Sequence, residues 1–109
     1  ITILGAWRAA DAVGSGALKR LDEVHGELKS MHVFQSERGF GVGTLLVGRI
    51  EHIATALGLS RISLETGSQA GFKPARSLYG SMGYKPCAPF EGYTDDPNSV
   101  FMTKALLSG

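Results

Sequence analysis

Four features that are scarce or absent limit what this chain of 109 residues can be. A single cysteine, Cys87, excludes an internal disulfide and a cysteine-based metal site, and it fits a reducing cytoplasm. No run of about 18 apolar residues is present, so we expect no membrane-spanning helix. The formal net charge of +1 gives no reason to expect binding to nucleic acid or to a membrane surface. The three histidines lack metal-ligand spacing, so we expect no metal.

The apolar residues that are present predict one folded domain over residues 1–109. They make up 43% of the chain, which is enough for one modest core. Period-two and helical patterns predict, in order, strands at 1–7, 17–21 and 25–33, a helix at 44–58, a strand at 61–65, a helix starting at 74, and strands at 84–90 and 99–106.

Two details of side-chain direction follow from these periods. Strict alternation in the third strand would place Leu28 and Met31 on opposite faces of the sheet. In the first helix, spacing predicts a buried stripe widened by further apolar positions. That stripe comprises Val42, Leu45, Leu46, Ile50, Ile53, Ala54 and Leu57.

Residues 38–43, Arg-Gly-Phe-Gly-Val-Gly, stand directly before the predicted helix. Glycines let a ligand approach the main chain, and a helix N-terminus attracts anions, phosphate above all. A P-loop would need a lysine where Thr44 follows Gly43, and the dinucleotide pattern Gly-x-Gly-x-x-Gly fails from Gly39 and from Gly41. The pyrophosphate loop of acetyl-coenzyme A enzymes, Arg/Gln-x-x-Gly-x-Gly/Ala, fits without gaps. An ordinary glycine-rich turn is the alternative.

The surrounding sequence resembles the GNAT superfamily of N-acetyltransferases over nearly its whole length. The resemblance rests on the strand ending in residues 30–33, the loop at 38–43 with its helix, the short strand at 62–65, and residues 74–84. The last stretch is similar to the family signature A-x-x-L-Y-x-x-x-G-F/Y. The resemblance implies an α/β fold of the α+β type, with a mixed, mostly antiparallel central sheet, a V-shaped splay and flanking helices.

The resemblance also implies an activity and residue roles. The chain would transfer an acetyl group from acetyl-coenzyme A, its co-substrate, to a primary amine of a small molecule or peptide. Tyr79 would protonate the leaving thiolate, or else it is simply core. Glu27 would be the general base, or else it forms a cross-strand ion pair with Lys19 or Arg20. The implied coenzyme contacts are Met31, His32, Val33, Arg38, Gly39, Phe40, Gly41, Val42, Gly43 and Thr44.

Other features leave alternatives open. The family usually has a strand and helices before the position where this sequence starts, so we expect an N-terminally incomplete domain, with homodimer contact as one way to cover the edge at residues 1–7. A non-catalytic acyl-coenzyme A-binding module is the alternative function. Asp95 and Asp96 either form a turn or line an acceptor pocket. Cys87 is expected to be a small buried side chain.

Overall fold

The computed structural model describes residues 2–8, 11–33 and 41–106. These form two α-helices and six strands. A 3₁₀ turn at Ala70–Phe72 leads into the second helix. In chain order the elements are β1 (Thr2–Arg8), β2 (Asp11–Arg20), β3 (His25–Val33), α1 (Val42–Ala56), β4 (Arg61–Gly67), α2 (Lys73–Ser81), β5 (Lys85–Pro86) and β6 (Ser99–Ala105). Neither helix is long and apolar enough to cross a membrane, as far as the described residues go.

The strands form one sheet in the order β1-β2-β3-β4-β6-β5. Strands β1, β2 and β3 make an antiparallel meander, and β4 and β5 both pair antiparallel with β6. Only β3 and β4 pair in parallel among the described strands, because α1 carries the chain across the sheet between them. The predicted mixed, mostly antiparallel α+β sheet is therefore confirmed.

The core lies between the helices and one face of this sheet. Leu28 of β3 and Ile62 and Leu64 of β4 are at most 3% exposed and pack with Ile50 of α1. The alternation of Ile62 and Leu64 with Ser63 is the period-two pattern of a strand with one apolar face.

The predicted stripe of α1 is only partly correct. Val42, Leu46, Ile50 and Ala54 are buried as expected, and Val47 is buried as well. Leu45 is 60% exposed and Leu57 is 48% exposed, so both predictions of burial were wrong. Because apolar residues occur on more than one side of this helix, their spacing alone does not select the buried face.

A β-bulge in β3 overturns the predicted alternation. Ser15 pairs with His32 and Ala17 pairs with Lys29, so β2 advances two residues while β3 advances three. The extra residue resets the direction of the side chains, and Met31 packs against the same core cluster as Leu28. Leu28 and Met31 therefore lie on the same face of the sheet, whereas strict alternation would place them on opposite faces.

Two strand boundaries also differ from the prediction. Strand β2 begins at Asp11, where a turn was expected to run on to residue 16. Strand β5 consists of Lys85–Pro86 alone, because proline lacks the N–H group that a longer ladder needs. Cys87, expected to be buried, is half-buried, and its N–H donates to the carbonyl of Phe101 at 2.8 Å.

Candidate active site

The sheet opens into a fork between its two parallel strands. Pairing of β3 with β4 runs from His25 and Arg61 to Leu28 and Leu64, and both strands continue beyond that point. There, β4 stays paired with β6 as far as Gly67, and β3 stays paired with β2 across the bulge. Each arm is therefore held by its outer neighbour while the inner edges separate. The V-shaped splay expected from the sequence is present.

A cleft of about 460 Å³ occupies this fork. Residues of both arms, of the 3₁₀ turn with its flanking Gln69, of α2 and of the start of β6 form its walls. They are Leu28, Lys29, Met31, Glu65, Thr66, Gly67, Gln69, Phe72, Ala75, Tyr79, Asn98 and Ser99. A space of this size between diverging strands can take an extended ligand that pairs with the exposed edge of a strand.

Tyr79 reaches the cleft from α2. Pro74 lies in the first turn of this helix, a position that needs no N–H group. Tyr79 is 6% exposed, and its ring packs edge-on against Tyr84 with centroids 5.9 Å apart. Burial raises the pKa of the Tyr79 hydroxyl to about 12. At neutral pH this group is a protonated hydrogen-bond donor at the wall of the cleft.

Helix α1 begins at Val42, directly after Gly41, whose φ of +80° is in the left-handed region that favours glycine. The first-turn N–H groups of Val42, Gly43 and Thr44 have no acceptor one turn earlier within the helix. The first turn also lacks an acidic side chain, which leaves the positive end of the helix dipole available to an anion. The remaining predicted loop contacts, Arg38, Gly39 and Phe40, lie outside the described residues.

The three strand residues expected to contact coenzyme lie on the β3 arm of the fork. Met31 is half-buried and lines the cleft. His32 is exposed. Val33 is half-buried and packs against Val42 and Leu46 of α1. The end of β3 and the start of α1 are thereby fixed next to each other, on the side of the sheet that carries the helices.

Glu27 is buried on the opposite face of β3, at 3% exposure. The hydroxyl of Tyr93 donates a hydrogen bond of 2.6 Å to one carboxylate oxygen, and the Lys29 ammonium lies 3.9 Å from the other. The expected partners Lys19 and Arg20 do not fill this role: Lys19 is exposed, and Arg20 bonds to main-chain carbonyls such as that of Leu57. Glu27 itself does not line the cleft. Lys29 lies between Glu27 and the open end of the fork along β3.

The aromatic residues around Tyr93 fix its position over Glu27. The Tyr93 ring lies 5.2 Å from that of Phe90 and 5.5 Å from that of Phe101. The hydrogen bond to Glu27 is the main cause that raises the pKa of Tyr93 to about 12. Sequence reasoning missed this contact, because 66 residues separate its partners and no motif marks Tyr93.

Two charged residues of the cleft wall, Lys29 and Glu65, were not among the site residues predicted from the sequence. Glu65 accepts a 2.7 Å hydrogen bond from the hydroxyl of Ser99. Of the two alternatives for Asp95 and Asp96, a turn or the wall of an acceptor pocket, the structure favours the turn, because neither residue lines the cleft. Asp96 instead caps its own turn, accepting the N–H of Asn98 at 2.8 Å.

Other polar groups of the sheet lie outside the cleft. The His25 ring and the hydroxyls of Ser63 and Thr103 form a chain of short contacts, 2.6 Å and 2.8 Å. Ser63 is 2% exposed, so it has no access to a substrate. Burial raises the pKa of the Cys87 thiol, which disfavours the reactive thiolate. Within the described ranges, no cluster of three or more histidine, cysteine or acidic side chains could hold a metal.

A forked mixed sheet, a glycine-led helix at one arm and a tyrosine helix over the cleft together define an acyltransferase fold. The chain belongs to the acetyltransferase (GNAT) family, whose model matches residues 2–84. The uncharacterised N-acetyltransferase YsnE of Bacillus subtilis is 50% identical over 106 residues, which cover 97% of this chain and 70% of the relative.

Solved structures agree in fold. An acetyltransferase from Streptococcus agalactiae has a TM-score of 0.83 at 27% identity, over 95% of this chain and 66% of the other. The PaiA N-acetyltransferase of Thermoplasma acidophilum, solved in complex with coenzyme A, has a TM-score of 0.81 at 21% identity, over 96% and 62%, and shows likeness of fold alone. The chain thus spans about two thirds of the length of these relatives.

Proposed function

We propose that this chain transfers an acetyl group from acetyl-coenzyme A to a primary amine of a small molecule or peptide, with both substrates bound together. The observation that carries this proposal is the fork beyond Leu28 and Leu64 with the buried hydroxyl of Tyr79 at its wall. Family membership and the name of the Bacillus relative support the same reaction.

The donor enters from the side of the sheet that carries the helices. Its pyrophosphate binds the first-turn N–H groups of α1 after Gly41, together with the loop at residues 38–40. Its pantetheine arm lies along Met31, His32 and Val33 and hydrogen-bonds to the main chain in the manner of an added strand. This path carries the thioester into the fork and toward Tyr79.

The acceptor attacks from the opposite face. The amine nitrogen forms a bond to the thioester carbon, the carbon–sulfur bond breaks, and its electron pair leaves with the coenzyme A thiolate. Overall, an ammonium ion and acetyl-coenzyme A give an amide, coenzyme A thiol and one proton. Main-chain N–H groups of the β3 arm polarise the thioester carbonyl.

The raised pKa of Tyr79 defines its share of this chemistry. A phenol with a pKa of about 12 is a weaker acid than a thiol, which titrates near ~8.5, so complete transfer of its proton to the thiolate is uphill by about 5 kcal/mol. We infer that Tyr79 acts first as a hydrogen-bond donor to the thiolate. The Tyr79 proton passes to the thiolate only when solvent returns a proton to the Tyr79 oxygen.

Glu27 is the proposed acceptor of the amine proton. Because its carboxylate is 3% exposed and lies behind Lys29, a bridging water must carry the proton from the cleft. The Tyr93 hydroxyl holds one oxygen of Glu27 in place and leaves the other toward Lys29. Replacing Glu27 by Gln is expected to lower turnover most strongly at low pH, where little free amine exists.

Two measurements test the proposal in sequence. Calorimetry with acetyl-coenzyme A should show binding, and a thiol-release assay over a panel of amines should show turnover with at least one of them. Binding without release for every amine would favour a non-catalytic acyl-coenzyme A-binding module. Absence of binding would refute both functions.

A further inference from the structure

The two arms of the fork carry opposite charges at its opening. Leu28 and Leu64 form the last parallel pair, and the next residue on each arm is Lys29 and Glu65 respectively. Since Leu28 and Leu64 both point into the helix-covered core, their chain neighbours point to the other face. Lys29 and Glu65 therefore stand opposite each other on the face proposed for the acceptor.

Both charged groups can reach a ligand. The Lys29 side chain is 35% exposed, Glu65 is exposed, and both line the cleft. Neighbouring paired strands lie ~4.8 Å apart, and the arms diverge from that spacing, so a small molecule can lie between the two charges.

One protein contact orients each of the two charged groups, and each group keeps further hydrogen-bond donors or acceptors for a ligand. Lys29 lies 3.9 Å from a carboxylate oxygen of Glu27, and its ammonium has three donor hydrogens. Glu65 accepts one hydrogen bond from Ser99, at 2.7 Å, and its two oxygens can accept several. The contacts hold the two charged groups at the opening of the fork, and both groups can still bind a ligand.

We propose that the acceptor is a free amino acid, whose ammonium binds Glu65 and whose carboxylate binds Lys29. This inference rests on the proposed acetyl transfer and names its substrate class. A zwitterion satisfies both charges, whereas a polyamine would bring a second cation toward Lys29. The acidic pair that could have drawn such a cation, Asp95 and Asp96, does not line the cleft.

Matched acceptors test the carboxylate contact. Leucine, phenylalanine, glutamate and lysine are each compared with their carboxamides, which keep the amine and side chain and lose only the carboxylate charge. For the best pair, kcat/KM of the acid should exceed that of the amide by about tenfold or more, as expected for one charge-assisted hydrogen bond. Equal use of acids and amides, or preference for amides or diamines, overturns the proposal.

Two variants assign the effect to residues. Lys29→Met should bring the ratio of kcat/KM for the acid to kcat/KM for the amide close to one, mainly by raising KM for the acid. Glu65→Gln should raise KM for acids and amides alike. Lys85→Met, the same charge loss on an exposed strand away from the cleft, should leave the ratio and the turnover unchanged. An equal loss for acid and amide in Lys29→Met refutes the role of Lys29.

The outcomes distinguish failure of the amino-acid acceptor from failure of the proposed acetyl transfer. Thiol release with simple amines, but without preference for carboxylates, refutes the amino-acid acceptor and leaves acetyl transfer standing. Acetyl-coenzyme A binding without thiol release for any amine or amino acid refutes acetyl transfer, and the amino-acid acceptor with it.

Discussion

Replacing Tyr79 by Phe removes one hydroxyl from the wall of the cleft and leaves the ring that packs on Tyr84. The hydroxyl is protonated, since burial raises its pKa to about 12, and Tyr79 lines the cleft in which the leaving thiolate is proposed to lie. A hydrogen bond to a charged group contributes about 1.5–3 kcal/mol. If the thiolate receives that bond only as the carbon–sulfur bond breaks, kcat should fall roughly 10- to 150-fold.

The measurement is a steady-state thiol-release assay, combined with calorimetry for acetyl-coenzyme A. The dissociation constant should change less than about threefold, because the neutral sulfur of the bound thioester gains little from a hydroxyl. Tyr84→Phe is the matched control: this second tyrosine is 3% exposed, packs 5.9 Å from the first and is not part of the cleft wall. A kcat within twofold of wild type for Tyr79→Phe, or an equal loss in both variants, would refute the assigned role.

The structure makes three further predictions, each checked by urea unfolding. Ionisation of Tyr79 should lower the free energy of unfolding by about 3 kcal/mol between pH of about 10 and 12, because the folded protein retains the Tyr79 proton that the unfolded chain releases near 10. The pKa values of Tyr84 and Tyr93 are raised as well, so Tyr79→Phe should reduce the total fall by about 3 kcal/mol and leave the rest. Gly14→Ala should lower the free energy of unfolding by about 1–3 kcal/mol, since the added carbon would lie 2.9 Å from a main-chain oxygen of β3. Gly48→Ala, with open space around the added carbon in α1, should raise it by about 0.5–1 kcal/mol. The reverse order of the two variants would contradict the packing. Glu51→Gln should lower the free energy of unfolding by about 1–3 kcal/mol, because it removes the charge and one of the two oxygens that accept 3.0 Å hydrogen bonds from Lys104. A wild-type midpoint that drops steeply with salt would show the pair to be more solvated than described.

Local pattern predicted most of the architecture, because it depends on neighbours in the chain. Period-two segments around residues 25–33 and 61–65 and the glycine-led helix between them gave the parallel pair at the centre of the sheet. The bulge near Met31 was beyond such reasoning, since one extra residue leaves no compositional trace. The exposure of Leu45 was also unpredictable, because apolar side chains on several sides of α1 compete for one core.

The candidate site was predictable where a motif fixes the backbone and unpredictable where distant segments meet. Gly41 was predicted from the glycine loop and Tyr79 from the resemblance to the family's helix signature. The structure places the start of α1 beside one arm of the fork and Tyr79 in the wall of the cleft. The contact of Tyr93 with Glu27 depends on how the segment before β6 folds back over the sheet. Lys29 and Glu65 become neighbours only once the register of β3 and β4 is known, which no local signal supplies.

The fork itself explains why donor and acceptor can meet inside a sheet. A paired sheet is closed to small molecules, because hydrogen bonds between strands leave no gap for a reacting carbon. Here the pairing of β3 with β4 stops after Leu28 and Leu64, while β2 and β6 hold the outer edges of the arms. In the proposed reaction the thioester enters this gap from the helix side, where Tyr79 lines the cleft, and the amine enters from the side with Glu65. Any substitution that extended the parallel pairing past Leu64 should close this gap and abolish the proposed acetyl transfer in a thiol-release assay.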